Sequence, residues 1–114
     1  MSLTYSSGFK EDLISALEWA LENFGEKTRT RYLKLIEVSL NSITKDPLLL
    51  HSREFEKTVR IYHLKHRKKA ARVDGIAVNN PKHMIVYRIE DGEIEILRLL
   101  HERMDIISQL GESE

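Results

Sequence analysis

The sequence predicts an α+β fold in which a pair of helices covers one face of an antiparallel sheet. Residues 9–24 and 26–45 carry apolar side chains at helical spacing, and residues 59–64 alternate between apolar and polar side chains. Two further apolar runs, 84–89 and 94–100, flank Asp91-Gly92, and Asp-Gly between hydrophobic runs is a strong hairpin signal. Helices packed on one face of an antiparallel sheet bury these apolar faces together.

The N-terminal part is predicted to be a strand followed by a helical hairpin. Residues 3–6 are β-prone, and Ser7 is the expected N-cap of the first helix, because its hydroxyl can accept an unpaired amide N–H. Gly25 ends this helix, and the second runs to about Lys45, because Asp46 precedes a proline and avoids the α region. Two helices joined at a glycine form an antiparallel pair.

The C-terminal part is predicted to be a meander of three strands and a short helix. Residues 47–56 are expected to form a loop, and residues 65–81 either a long loop or a short element with a tight return. Residues 103–110 can form a helix that stops at Gly111, with a frayed tail over 111–114.

Counting outward from Asp91-Gly92 predicts which hairpin residues face each other. The pairs expected on the core face are Ile89–Ile94, Tyr87–Ile96 and Ile85–Arg98, and those on the second face are Arg88–Glu95, Val86–Leu97 and Met84–Leu99. Arg98 is expected to pair with a carboxylate or to extend its charge to solvent. No predicted helix covers the second face, so Met84, Val86, Arg88, Leu97 and Leu99 are candidate partner-binding residues.

Composition limits the functions that remain. The chain of 114 residues fits one domain, and its 18 Lys and Arg balance 18 Asp and Glu. Cysteine is absent, which excludes disulfides and thiolate chemistry. No apolar run reaches the roughly 20 residues that a membrane span needs. The first residues lack the pattern of a secretory signal, so we expect a cytoplasmic protein without such a signal and without membrane contact.

The positive charge is concentrated in one stretch. Residues 57–73 hold seven basic side chains, two histidines and no acid. Such a run can dock an acidic protein segment, approach phosphates, or simply solvate a loop. The candidate partner-binding residues here are Lys65, Arg67, Lys68, Lys69 and Arg72. Sequence-specific DNA binding is not expected, because the whole chain is neutral.

His101 and Arg103, which follow the last strand, are weak candidates for catalysis or target binding. Histidine titrates near neutrality and is a natural general acid or base. The alternative is that His101 ends the strand and bonds to the backbone. No metal or cofactor is predicted, since His63-x-x-His66 alone is weak metal spacing and there is no Gly-rich phosphate loop.

The string VYRIEDGEIEILRLLHERMD, residues 86–105, resembles the C-terminal part of toxins of the RelE/ParE superfamily. These are the toxic halves of type II toxin–antitoxin pairs, often called plasmid stabilisation proteins. The ending His101-Glu102-Arg103-Met104-Asp105 is most similar to the ParE branch. That branch implies inhibition of DNA gyrase and of replication, neutralised by a cognate antitoxin, without catalytic residues in the toxin itself.

The RelE branch implies a different activity on the same fold, ribosome-dependent cleavage of mRNA. One such branch carries an arginine where this chain has Met84, and an Arg-Tyr-His-Tyr type of ending that this chain lacks. A thioether neither polarises a phosphate nor carries a proton. The expectation is therefore a ParE-like binding inhibitor. The alternatives are a RelE-like endoribonuclease, with the ribosome and mRNA as partners, and a non-toxic relative that only binds an antitoxin.

Overall fold

The computed structural model describes residues 2–113, and the side chains of residues 2–110. Its elements in chain order are β1 (Ser2–Tyr5), α1 (Ser7–Phe24), α2 (Glu26–Lys45), β2 (Arg53–Glu54), β3 (Val59–His63), a 3₁₀ turn (Leu64–Arg67), β4 (His83–Glu90), β5 (Glu93–His101) and α3 (Ile106–Ser113). The predicted α+β class and the order of its main elements are confirmed. No helix in the described part of the chain is long and apolar enough to cross a membrane.

The five strands form one sheet in the order β1-β5-β4-β3-β2. Neighbours from β2 to β5 are antiparallel, but β1 lies parallel to β5, so the sheet is mixed. The long helical connection between β1 and the rest of the sheet makes the parallel pairing possible. The very short strand β2 lies within the stretch predicted to be a loop.

The helical hairpin forms nearly as predicted, with one correction at its start. Ser6 caps α1, since its hydroxyl oxygen accepts the N–H of Phe9 at 3.0 Å, so the assignment of the cap to Ser7 is wrong by one residue. Gly25 separates the helices with a φ of 93°, a conformation that favours glycine. α1 and α2 pack on the sheet and form the main core with Tyr62, Ile85, Tyr87, Ile94, Ile96 and Leu99.

A second apolar cluster lies on the opposite face of the sheet and is closed. Val59, Ile61, Met84, Val86 and Leu100 are buried in it, with Phe55, Leu97, Ile106 and Leu110 packed against them. The prediction of an open apolar face is therefore wrong, because α3 supplies the missing cover. Met84 is 6% exposed and Val86 is fully buried. α3 continues through Gly111, so the expected helix stop there is also wrong.

The hairpin follows the predicted register only near its turn. Ile89–Ile94, Arg88–Glu95 and Tyr87–Ile96 pair as expected. Beyond Tyr87 a β-bulge shifts β5 by one residue, so the pairs become Val86–Arg98, Ile85–Leu99 and Met84–Leu100. The prediction that Leu99 belongs to the second face is wrong, because the extra residue turns Leu99 into the main core and places Leu100 on the second face.

The first turns of α1 hold this bulge. The Ser6 hydroxyl donates to the carbonyl oxygen of Leu97 at 2.5 Å, and the Leu99 N–H donates to Asp12 Oδ2 at 3.0 Å. Arg98 donates to the same carboxylate, with Nε 2.6 Å from Oδ2, and its NH1 group bonds to the carbonyl of Gln109 in α3. The predicted carboxylate partner of Arg98 is thus confirmed, and Arg98 links α1, β5 and α3.

Candidate functional site

One end of the sheet gathers three histidines that are far apart in sequence. β3 ends at His63, β4 begins at His83 and β5 ends at His101. The bulge places His83 opposite His101, with ring centroids 5.3 Å apart, whereas the register counted from the turn would place Leu100 there. Trp19 of α1 packs edge-on against both rings. We call the set His63, His83, His101, Trp19, Tyr32, Lys82 and Glu102 the histidine end.

The inner part of the histidine end is a buried neutral pair. The Tyr32 hydroxyl lies 2.6 Å from His83 Nδ1 and accepts the N–H of Lys82 at 3.0 Å, so its proton is directed to the imidazole. Burial, with smaller repulsion from His101 and His63, lowers the pKa of His83 from 6.5 to about 4. Burial also raises the pKa of Tyr32 to about 12. Both groups are therefore neutral at pH 7 and join α2 to β4.

The outer part of the histidine end is charged and reaches solvent. His63 Nε2 lies 2.8 Å from Glu102 Oε2, and Lys82 Nζ lies 3.5 Å from Glu102 Oε1. The hydrogen bond from His63, assisted by Lys82, lowers the pKa of the Glu102 carboxyl. His63 Nδ1 accepts the N–H of Lys65, which ties the part of the basic stretch after β3 to this cluster.

His101 and Arg103 lie beside this cluster but differ in their surroundings. His101 Nδ1 accepts the N–H of Arg103 at 3.2 Å, and its ring packs against Trp19 and His83. These contacts fit the alternative in which His101 ends the strand and bonds to the backbone. The Arg103 side chain is exposed. His63 and His66 do not converge, because His66 stacks on His51 at 4.4 Å while His63 bonds to Glu102.

The predicted basic residues continue from the same end of the sheet into the 3₁₀ turn and the loop after it. Lys65, Lys69 and Arg72 are exposed, and Lys68 is half-buried. Arg67 instead turns inward, beside the Tyr62 hydroxyl, where burial raises the pKa of Tyr62 and the guanidinium partly offsets this. Burial, assisted by His51 and nearby basic groups, lowers the pKa of His66. The half-buried Lys68 and four exposed residues form what we call the basic surface: Lys65, Lys68, Lys69, Arg72 and Arg103.

A cleft of about 420 Å³ lies between the α1–α2 corner and the loop before β4. Trp19, Phe24, Ile76 and Val78 supply its apolar wall, and Arg31 and Lys82 are its two cations. Sequence reasoning missed this cleft and most of the histidine end. Their residues come from α1, α2, a loop and two strands, and no local motif joins them. The sequence shows five histidines, but their number does not indicate that three of them meet at one end of the sheet.

The fold is that of a small α+β domain, and comparison with known proteins gives the family. Residues 3–106 match the family model described as the ParE toxin of the type II toxin–antitoxin system parDE. The match covers most of the chain, so this protein belongs to the ParE toxin family. No curated protein matches it significantly.

One solved structure supports the same fold. The chromosomal ParDE TA system from P. aeruginosa contains a chain that is 16% identical, with a TM-score of 0.64; the alignment covers 89% of this chain and 95% of that one. A copper-bound mutant toxin from Helicobacter pylori is 23% identical with a TM-score of 0.48, covering 89% and 93%. The first similarity shows the fold, and the second is too low to support an argument.

Proposed function

We propose that this ParE-family toxin binds DNA gyrase, blocks replication and is neutralised by a cognate antitoxin. The observation that carries the proposal is the meeting of two candidate segments at one end of the sheet. Residues 65–72 of the basic stretch follow the end of β3, and Arg103 follows the end of β5. The His63–Glu102 hydrogen bond joins these two strand ends directly. A partner bound to either segment therefore lies next to the other, so an antitoxin on residues 65–72 is placed where it can block a target at Arg103.

The exposed charges suit binding to an acidic or phosphate-rich partner. Lys65, Lys69, Arg72 and Arg103 are exposed, and none makes an ion pair with any described side chain. Exposed arginine is also frequent among the residues that dominate interface affinity, because its flat stem and five donors combine packing with hydrogen bonding. We assign contact with the target to Arg103 and contact with acidic antitoxin residues to positions 65–72.

The histidine end supports a binding role more than a catalytic one. His83 is neutral and bonded to Tyr32, and one ring nitrogen of His101 is occupied by a backbone N–H. Met84, at the position where one RNA-cleaving branch carries arginine, is buried in the second apolar cluster. Met84, Val86 and Leu99 can therefore contribute to partner binding only through the packing of the surface above them.

A supercoiling assay tests the proposed target. Purified toxin is added to DNA gyrase with relaxed plasmid and ATP, and we expect loss of supercoiled product in proportion to toxin. Arg103→Ala should weaken inhibition by roughly 30-fold, the effect of losing an interface residue worth about 2 kcal/mol. Lys10→Ala, which removes an exposed cation on α1, is the control and should retain inhibition.

Cell-free translation distinguishes the endoribonuclease alternative from gyrase inhibition. A ribosome-dependent nuclease would stop translation and leave gyrase active, and His101→Ala would lower its rate by about 10²–10⁴ if His101 were its general acid or base. Undiminished supercoiling at saturating toxin, together with mRNA cleavage, would overturn the proposal. Undiminished supercoiling and translation, with retained antitoxin binding, would instead identify a non-toxic relative.

A further inference from the structure

The cleft at the α1–α2 corner has a chemistry of its own. Phe24 and Ile76 on its wall are 62% and 48% exposed, which is high for large apolar side chains that lie together. Grouped exposed apolar residues mark sites of protein interaction. The cleft of about 420 Å³ lies within the usual range of ligand sites and is large enough for a big side chain.

The charges around the cleft have one sign. Arg31 and Lys82 line it, and none of its described lining residues is acidic. Lys82 is paired with Glu102, but the Arg31 guanidinium makes no hydrogen bond or ion pair with any described residue. A half-buried guanidinium beside an apolar pocket is satisfied best by a carboxylate, which accepts two hydrogen bonds from it.

We propose that this cleft is a docking site for an acidic amphipathic segment of the antitoxin. The segment inserts one large apolar side chain between Phe24 and Ile76 and places a neighbouring carboxylate on Arg31. Apolar contact supplies affinity, and the bidentate pair fixes orientation. This proposal rests on the proposed function for its partner. It assigns that partner a second contact region, apart from the basic surface.

The cleft can be probed without the antitoxin. Trp19 is the sole tryptophan of the chain and lines the cleft, so its fluorescence reports occupancy. We expect 4-phenylbutyrate, an apolar carboxylate, to change Trp19 emission in a saturable way. The neutral amide 4-phenylbutyramide should bind about ten-fold more weakly, and Arg31→Gln should remove this difference. Arg29→Gln, an exposed arginine on the same helix that does not line the cleft, should preserve it.

A binding experiment with the antitoxin tests whether it occupies the cleft. The small protein encoded beside the toxin gene is titrated against wild-type toxin and against the Arg31→Gln and Ile76→Asn variants, each checked by thermal melting. We expect at least ten-fold weaker binding to both variants and competition by 4-phenylbutyrate. Two results would overturn the cleft proposal and leave the proposed function intact. The first is equal affinity of the wild-type protein for 4-phenylbutyrate and 4-phenylbutyramide. The second is unchanged antitoxin affinity in both variants, when both are folded. Failure of the antitoxin to bind wild-type toxin would overturn both.

Discussion

The two halves of the β4–β5 hairpin are held by different interactions. In the turn half, Asp91 and Gly92 adopt φ angles of 52° and 78°, and the strands pair as a simple count from the turn predicts. In the far half, the bulge changes the register, and groups from α1 satisfy the displaced backbone. The turn half is therefore determined by neighbouring residues, and the far half by distant ones.

Each half contains an Arg–carboxylate pair, which makes the comparison quantitative. Arg98 and Asp12 in the far half have side chains only 14% and 16% exposed, with Nε and Oδ2 2.6 Å apart. Arg88 and Glu95 in the turn half are 32% and 43% exposed, with Nη1 and Oε1 3.7 Å apart. Burial makes the loss of one partner costly, because the remaining charge is left without solvent.

Asp12→Ala should give the largest loss of stability. It leaves the Arg98 guanidinium without its carboxylate and the Leu99 N–H without its acceptor. We expect the free energy of unfolding to fall by about 3–5 kcal/mol, measured by urea denaturation. Glu11→Ala, at the exposed neighbouring acid, should change it by less than about 0.5 kcal/mol. Similar losses in the free energy of unfolding for the two variants would show that the bulge does not depend on α1.

The contrast between the halves also explains what could be predicted from sequence. Asp-Gly, the helical apolar periodicity and Gly25 are local signals, and each marks its element to within a residue or two. The bulge has no such signal, because it depends on Ser6 and Asp12, more than 80 residues before β5. A one-residue shift changes the face of every side chain beyond it, so Leu99 was predicted on the wrong face.

In the candidate site too, local features were visible in the sequence, whereas contacts between distant residues were not. The basic residues were visible as a run, although the run could not show that Arg67 turns toward Tyr62 while Lys65 and Lys69 are exposed. The cover supplied by α3 was missed because its two apolar contacts, Ile106 and Leu110, are too few to indicate which surface they bury. Sites assembled from several elements require the tertiary structure.

Acid should weaken the far half through His83. Its pKa is about 4 in the folded protein and about 6.5 when unfolded, so the unfolded chain binds a proton first as the pH falls. The contribution of neutral His83 to the free energy of unfolding is fully present above about pH 6.5. It is lost progressively as the pH falls to 4, by up to roughly 3 kcal/mol. The free energy of unfolding, measured by urea denaturation between pH 7 and 4, should fall with pH in the wild-type protein and fall less steeply in His83→Gln. Parallel profiles would remove His83 as the cause.

Gly92→Ala should weaken the turn half by a smaller amount. A Cβ atom at Gly92 would meet no atom beyond its two chain neighbours within 4 Å, so the cost arises only from holding alanine at a φ of 78°. That conformation costs an L-residue about 1–2 kcal/mol. Gly92→Asn should recover part of the loss, because asparagine tolerates the left-handed region better. Thermal melting of the two variants measures this, and equal stability of Gly92→Ala and wild type would show that the turn relaxes into another type.

Of these substitutions, Glu95→Ala should reduce the stability of the protein least. Its ion pair with Arg88 faces solvent, so we expect a loss of at most about 1 kcal/mol, against several for Asp12→Ala. Salt provides a second test, because it screens exposed pairs more than buried ones. The difference between wild type and Glu95→Ala should shrink in 1 M NaCl, while the difference between wild type and Asp12→Ala should persist. If Glu95→Ala instead destabilises the protein as much as Asp12→Ala, burial is not what separates the two halves, and the hairpin behaves as one cooperative ribbon along its whole length.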